Sequence, residues 1–251
     1  MQRTLVFVYG IFCYLVFFAT FLYAVGFIGN FMVPKAIDSA PQVPFLQAML
    51  INLGLLALFS VQHSFMARKP FKRWLTRYIP QAAERSTYVL ASSVLLIVLF
   101  ALWQPMGGVI WSLTSSTAIT VTYMLYGLGI LVLLYATFLV DHFDLFGLRQ
   151  VWFHLRGREY VSPTFTTRQA YQWVRHPIYL GWMIIVWATP TMTIAHLVFA
   201  IGCTAYIFIG VWFEERDLIE DHPEYEAYRD QVPMVLPIAG KRSLEIATQT
   251  A

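Results

Sequence analysis

The chain has 251 residues, 58% hydrophobic, 17% aromatic and 12% charged, against roughly 25% charged in a soluble domain. With a mean hydropathy of +0.60, so few charges cannot keep a globular surface of this size in water, and so apolar a composition also excludes disorder. The two cysteines, Cys13 and Cys203, sit inside apolar runs and offer neither a disulfide framework nor a metal signature.

What remains is an all-α integral membrane protein, and the gaps between charges mark its spans. Asp, Glu, Lys and Arg are absent from Thr4 to Pro34, Ser39 to Ala67, Ser86 to Val140 and Pro177 to Phe213. One crossing takes about 20 apolar residues. The first two runs predict one helix each, near 5–29 and 45–66. The first is too long for a removable signal peptide and lacks a small-residue cleavage site. The third run predicts two helices, near 87–104 and 119–140, parted by the turn signal Gln104-Pro105-Met106-Gly107-Gly108. The fourth predicts a tight helical hairpin, 177–190 and 194–213, with Pro190 near the bend; a single kinked helix is the other reading.

Six crossings with both termini cytosolic place 1–3, 67–85, 141–176 and 214–251 inside. Those segments hold 16 of the 17 Lys and Arg, with only Lys35 outside, in keeping with the positive-inside tendency. Segment 67–85 is net +5 and segment 214–251 net −5. In the basic one, Arg68, Lys69, Lys72, Arg73 and Arg77 interleave with Phe71, Trp74 and Tyr78. Directly after a spanning helix, that pattern suits membrane lipids with anionic headgroups rather than nucleic acid.

The chemistry then belongs at the cytosolic face. Arg175-His176-Pro177 opens the hairpin and Glu214-Glu215 follows it, so the hairpin returns two charged clusters to one surface. Pro177 suits a first helical turn, whose free N–H groups suit an anion. Arg175 offers a fork to a carboxylate, and the two glutamates offer acceptors to an ammonium or to hydroxyls. The same residues also read as ordinary interfacial anchors.

Arg175-His176-Pro177-x-Tyr179-x-Gly181, the apolar hairpin, Glu214-Glu215-x-x-Leu218, Tyr225-x-x-Tyr228 and Pro233 together resemble the isoprenylcysteine carboxyl methyltransferase and phospholipid methyltransferase superfamily. The resemblance implies S-adenosylmethionine held between hairpin and tail by His176, Pro177, Tyr179, Gly181, Glu214, Glu215 and Tyr228. Further stretches resemble the bacterial methanethiol S-methyltransferases, among NnrU-like membrane proteins: Gln62-His63-Ser64-x-Met66-Ala67-Arg68, Glu84-Arg85-Ser86-x-Tyr88, Phe143 to Gln150 and Val232-Pro233-Met234. They imply methylation of a small volatile thiol, methanethiol, to dimethyl sulfide in the bacterial inner membrane. Residues 1–140 would form a four-helix region with substrate-side residues, and 141–251 the cofactor-binding core.

An alkyl thiol of pKa about 8.5 or above is mostly protonated at neutral pH, so a proton acceptor helps. His63 ends the second helix, and Asp141, His142 and Asp144 follow the fourth, with Asp141 and Asp144 on one face if that helix continues. His63, Asp141 and Asp144 are the thiol-side candidates. His196 falls near the far face, and His154 and His222 read as loop residues. Tyr171, Trp173, Tyr179 and Trp182 flank the cofactor motif and suit a sulfonium, although interfacial anchoring accounts equally for the two tryptophans. The alternatives are a different methyl acceptor, an isoprenylcysteine carboxylate or a lipid amine, and haem held by His63 and His142.

Overall fold

The computed structural model describes residues 2–162, 169–221 and 224–237. In chain order these form α1 (Gln2–Gly29), α2 (Phe45–Ala67), the short basic α3 (Lys69–Leu75), α4 (Glu84–Leu102), β1 (Val109–Ser112) and α5 (Ser116–Val140). There follow α6 (His142–Leu145), α7 (Leu148–Leu155), α8 (Pro177–Trp187), β2 (Thr191–Thr193), α9 (Ile194–Asp221) and α10 (Tyr225–Gln231). Among the described residues, five helices (α1, α2, α4, α5 and α9) are long and apolar enough to cross a membrane, and their cores coincide with the runs free of charge. Their outward residues, among them Leu5, Phe12, Leu46, Val61 and Leu131, are exposed, as lipid-facing helices that are apolar all round require.

The hairpin is present, with an unequal pair of arms. α8 has only 11 residues, about 16 Å of helix. The extended chain from Ala188 to Thr193 adds roughly 20 Å, so this arm matches α9 from Ile194 to Glu215. Non-helical backbone at membrane depth must be covered by protein; here Thr189, Met192 and Thr193 are buried, and β2 pairs antiparallel with β1. The sequence pattern predicts no strands, so this pair is set by the packed structure. Gly107 and Gly108, at φ of +66° and +62°, turn the chain into the β-prone run Val109-Ile110-Trp111.

α8 packs chiefly on α5, α1 on α4 and α7, and α2 on α4 and α9. Interlocked rings of Phe27, Phe100, Trp103 and Phe199 fill the core towards one end. At that end Lys35, the one cation outside the charged segments, donates to the Ala101 carbonyl at 2.6 Å, where the negative end of α4 favours a cation. Asn52 exchanges two hydrogen bonds with the Gln104 backbone, 2.7 and 2.8 Å long. His196 lies here too, fully buried, with Nδ1 3.3 Å from Asp38 and Nε2 3.0 Å from the Val186 carbonyl.

The opposite end gathers the charged segments. Arg68 pairs with Asp217 at 3.0 Å, Ser86 donates to the Gly147 carbonyl, Tyr9 bonds Thr87, and Arg3 lies against Gly157. Four segments distant in sequence thus share one face.

Candidate active site

Pro177 starts α8 at a position where no N–H is needed, and it delivers Arg175 and His176 to the charged end of α9. There Glu214 and Glu215 stand about 100° apart around the helix and do different things. Glu215 Oε1 accepts from Arg175 Nε at 2.7 Å, from His176 Nε2 at 2.9 Å and from the Tyr225 hydroxyl at 3.2 Å. Arg175 Nη1 donates to the Arg229 and Val232 carbonyls. The backbone N–H groups of Arg175 and His176 reach the Pro233 and Met234 carbonyls. The fork expected to meet a ligand carboxylate is therefore spent inside the protein, pinning the tail to the start of α8. Burial, and next the Glu215 charge, push the Tyr225 phenol well above its ordinary value, so it stays a donor. Tyr228 donates to the Tyr171 carbonyl at 2.5 Å.

Glu214 faces a different space. Its Oε2 accepts from the Tyr179 hydroxyl at 2.8 Å and lies 3.8 Å from His176 Nδ1, while its side chain is 46% exposed. Tyr88, Tyr171, Tyr179 and Tyr206 are each partly exposed, and Tyr88 and Tyr206 both lie against the His63 ring. Of the aromatic residues flanking the motif, Tyr179 belongs here, bonded to Glu214 and stacked on His176. Trp173 is 73% exposed, and Trp182 packs edge-on against Phe21. Gly181 turns to α5, where a Cβ would stand 2.8 Å from the Leu133 nitrogen and 2.9 Å from the Gly129 carbonyl.

His63 lies where α2 meets α4 and α9. The Tyr88 oxygen lies 2.8 Å from its Nε2 and 3.1 Å from its Nδ1, and Ser92 Oγ also lies 3.1 Å from Nδ1. Phe59 stacks on the ring and Tyr206 meets it edge-on. Tyr88, Ser92 and Tyr206 are absent from the expected site. Tyr88 does stand in a quoted motif, while Ser92 and Tyr206 carry no local signal.

Asp141 and Asp144 occupy another corner, between α5, α6 and α7. The helix does not continue through them: Asp141, at φ 113°, breaks it and caps α6 by accepting from the Asp144 N–H at 3.0 Å. The two carboxylates therefore do not share a helix face. Asp141 also pairs with Arg149 at 2.7 Å. Asp144, buried, accepts from Tyr160 at 2.7 Å, whose phenol burial holds above its ordinary value. His142 lies between Tyr14 and Thr137 at 2.9 Å each. Because the Thr137 hydroxyl donates to the Leu134 carbonyl, His142 carries its proton on Nδ1 and accepts from Tyr14 on Nε2. Burial pulls its pKa down against the opposing Asp141 charge. Both nitrogens of His63 and of His142 are thus engaged within the protein, and haem ligation has no geometric support. His154 sits in the last turn of α7 rather than in a loop; His222 lies outside the described residues.

Fold and site together define an all-α, multi-pass membrane protein whose hairpin brings Arg175, His176 and Tyr179 onto Glu214 and Glu215 at one charged face. No family model and no solved structure matches the chain. Among its relatives, a methanethiol S-methyltransferase of Crocosphaera subtropica is 50% identical over 97% of this chain and 96% of its own length. Another, of Mycobacterium tuberculosis, is 48% identical over 94% of this chain and 98% of its own. A third, methanethiol S-methyltransferase 1 of Bradyrhizobium diazoefficiens, is 47% identical over 94% and 83%. The chain belongs to the methanethiol S-methyltransferase family.

Proposed function

We propose that this protein methylates methanethiol to dimethyl sulfide with S-adenosylmethionine, at the cytosolic face of the bacterial inner membrane. The observation that carries the reading is the charged end of the hairpin, where a half-exposed Glu214 carboxylate accepts from Tyr179 beside His176. Its donor set fits S-adenosylmethionine. A carboxylate and π-faces suit an ammonium and a sulfonium, and the start of α8, where His176 supplies no side-chain cap, suits a carboxylate. When bound, S-adenosylmethionine supplies a methyl group on an electrophilic sulfur.

The protein's part is alignment and exclusion of water. His176, Pro177, Tyr179 and Glu214 would line the cofactor side. Arg175, Glu215 and Tyr228 would hold the tail over it, and Gly181 would seat α8 on α5. On the thiol side His63, held against Tyr88, Ser92 and Tyr206, would be the proton acceptor. Asp141 and Asp144 would fix the 141–149 turn beside α4. In this reading residues 1–140 supply the thiol side and 141–251 the cofactor core.

The test is headspace detection of dimethyl sulfide from the purified full-length protein supplied with methanethiol and S-adenosylmethionine. Stoichiometric dimethyl sulfide is expected. Its absence, with the donor bound and consumed on an isoprenylcysteine or lipid amine instead, would overturn the choice of acceptor.

A further inference from the structure

We propose that the methyl acceptor rests against Gly210 of α9, whose missing side chain makes the room for a small thiol, an inference that rests on the methyl-transfer reading above. Tyr206, Gly210 and Glu214 follow one another at intervals of four along α9. They therefore stack within about 80° of one helix face, with roughly 6 Å of rise between neighbours. The outer two are engaged on different helices. Tyr206 bonds Ser64 on α2 at 3.1 Å and meets the His63 ring edge-on, while Glu214 accepts from Tyr179 on α8. Gly210 thus stands between the proton acceptor and the cofactor side. A Cβ built on it would find no atom within 4 Å.

That open space faces protein and not lipid. Phe208, Ile209 and Trp212, all exposed, mark the lipid side of α9 and lie about 100–160° around the helix from Gly210. Gly210 itself is half-buried. Its direction is flanked on one side by Phe213, which lies under the Arg68 guanidinium at 4.9 Å, and on the other by the buried Ile207. Deeper in the bundle the seam between α2 and α9 is closed, for a Cβ at Gly202 would stand 2.9 Å from Leu56 Cδ1. The space is therefore confined to the level of His63 and Glu214. A one-carbon thiol offers few groups to recognise, so its fit depends on the room the walls leave.

The test is the full-length protein carrying Gly210→Ala or Gly210→Leu, assayed with methanethiol and with ethanethiol as a second acceptor or as a competitor. The added atoms enter open space, so neither thermal unfolding in detergent nor S-adenosylmethionine affinity by calorimetry should fall. Gly210→Leu should lower kcat/KM for methanethiol roughly 100-fold, and Gly210→Ala should cost ethanethiol roughly 10-fold more than methanethiol, the discrimination that one methylene carries in an apolar pocket. Gly54→Leu is the control. A Cβ there is equally uncrowded, but Gly54 lies exposed among Leu50, Leu53 and Leu58 on α2, and the variant should handle both thiols as wild type does. Wild-type kinetics in Gly210→Leu, or equal losses on the two thiols in Gly210→Ala, would overturn the proposal alone. So would a loss of donor affinity, which would give the space to the cofactor. Should Gly210→Leu fail to fold, the alanine variant decides. A wild-type protein that methylates no thiol would overturn the parent reading, and the proposal with it.

Discussion

Glu215→Gln tests how the tail is held, because one carboxylate oxygen there gathers three donors. The substitution preserves shape and removes the charge. Arg175, whose side chain is only 7% exposed, would keep the Arg229 and Val232 carbonyls and lose its counter-ion, itself 13% exposed. Removing one partner of a buried pair costs about 3–5 kcal/mol. The glutamine oxygen still accepts one of the three bonds, so about 3 kcal/mol is the working figure, equivalent to roughly 100-fold in an equilibrium. The cost is local, since these contacts join α8 to residues 225–235 and none reaches the α1–α4 pair. Hydrogen exchange followed by mass spectrometry should show roughly 100-fold faster exchange at Arg175 and His176 and over 225–235, with α1 and α4 unchanged. Glu214→Gln is the control one residue away. It meets Tyr179 and the more distant His176 rather than the tail, so tail exchange should stay at the wild-type rate while donor affinity falls. Wild-type exchange in Glu215→Gln, or equal acceleration in both variants, would refute the division of labour between the two glutamates.

Three further outcomes follow from the same geometry. Gly181→Ala should cost about 1–3 kcal/mol through overpacking, since its Cβ meets α5 backbone at 2.8 Å, whereas Gly127→Ala, with nothing within 4 Å, should be neutral or stabilising; thermal unfolding of the two in detergent decides. His142 has a folded pKa below its unfolded value of about 6.5, so the unfolded chain binds the proton first and stability falls as pH drops through that window. His142→Gln should flatten this acid-side slope, and an unchanged slope in pH-dependent denaturation would show that the group contributes nothing. A reporter fused after Ala251 should be active in the cytosol; activity confined to the periplasm would sink the orientation taken from the distribution of cations.

How much was legible beforehand differs from element to element. The spans and the hairpin followed from runs without charge, because burying a charge in hydrocarbon costs so much that its absence marks a helix core. The meeting of Arg175-His176 with Glu214-Glu215 followed as well, since a bend near Pro190 returns the second arm to where the first began. Family resemblance then pointed to the right relatives through motifs of fixed order and spacing.

Other features required the packed structure. Adjacent glutamates are alike in sequence, and only the placement of the tail makes Glu215 a shielded hub for three donors and leaves Glu214 exposed. Asp141 and Asp144 have helical spacing, but the 113° φ at Asp141 ends the helix between them, a backbone state that no spacing rule anticipates. Gly181 sits in a cofactor-like motif yet packs against α5. The Tyr88–Ser92 clamp on His63 joins residues 25 and 29 positions apart. Hydrophobic patterning says which faces avoid water. Which donor meets which acceptor once helices cross depends on rotation and depth in the bundle, and tertiary packing alone sets those.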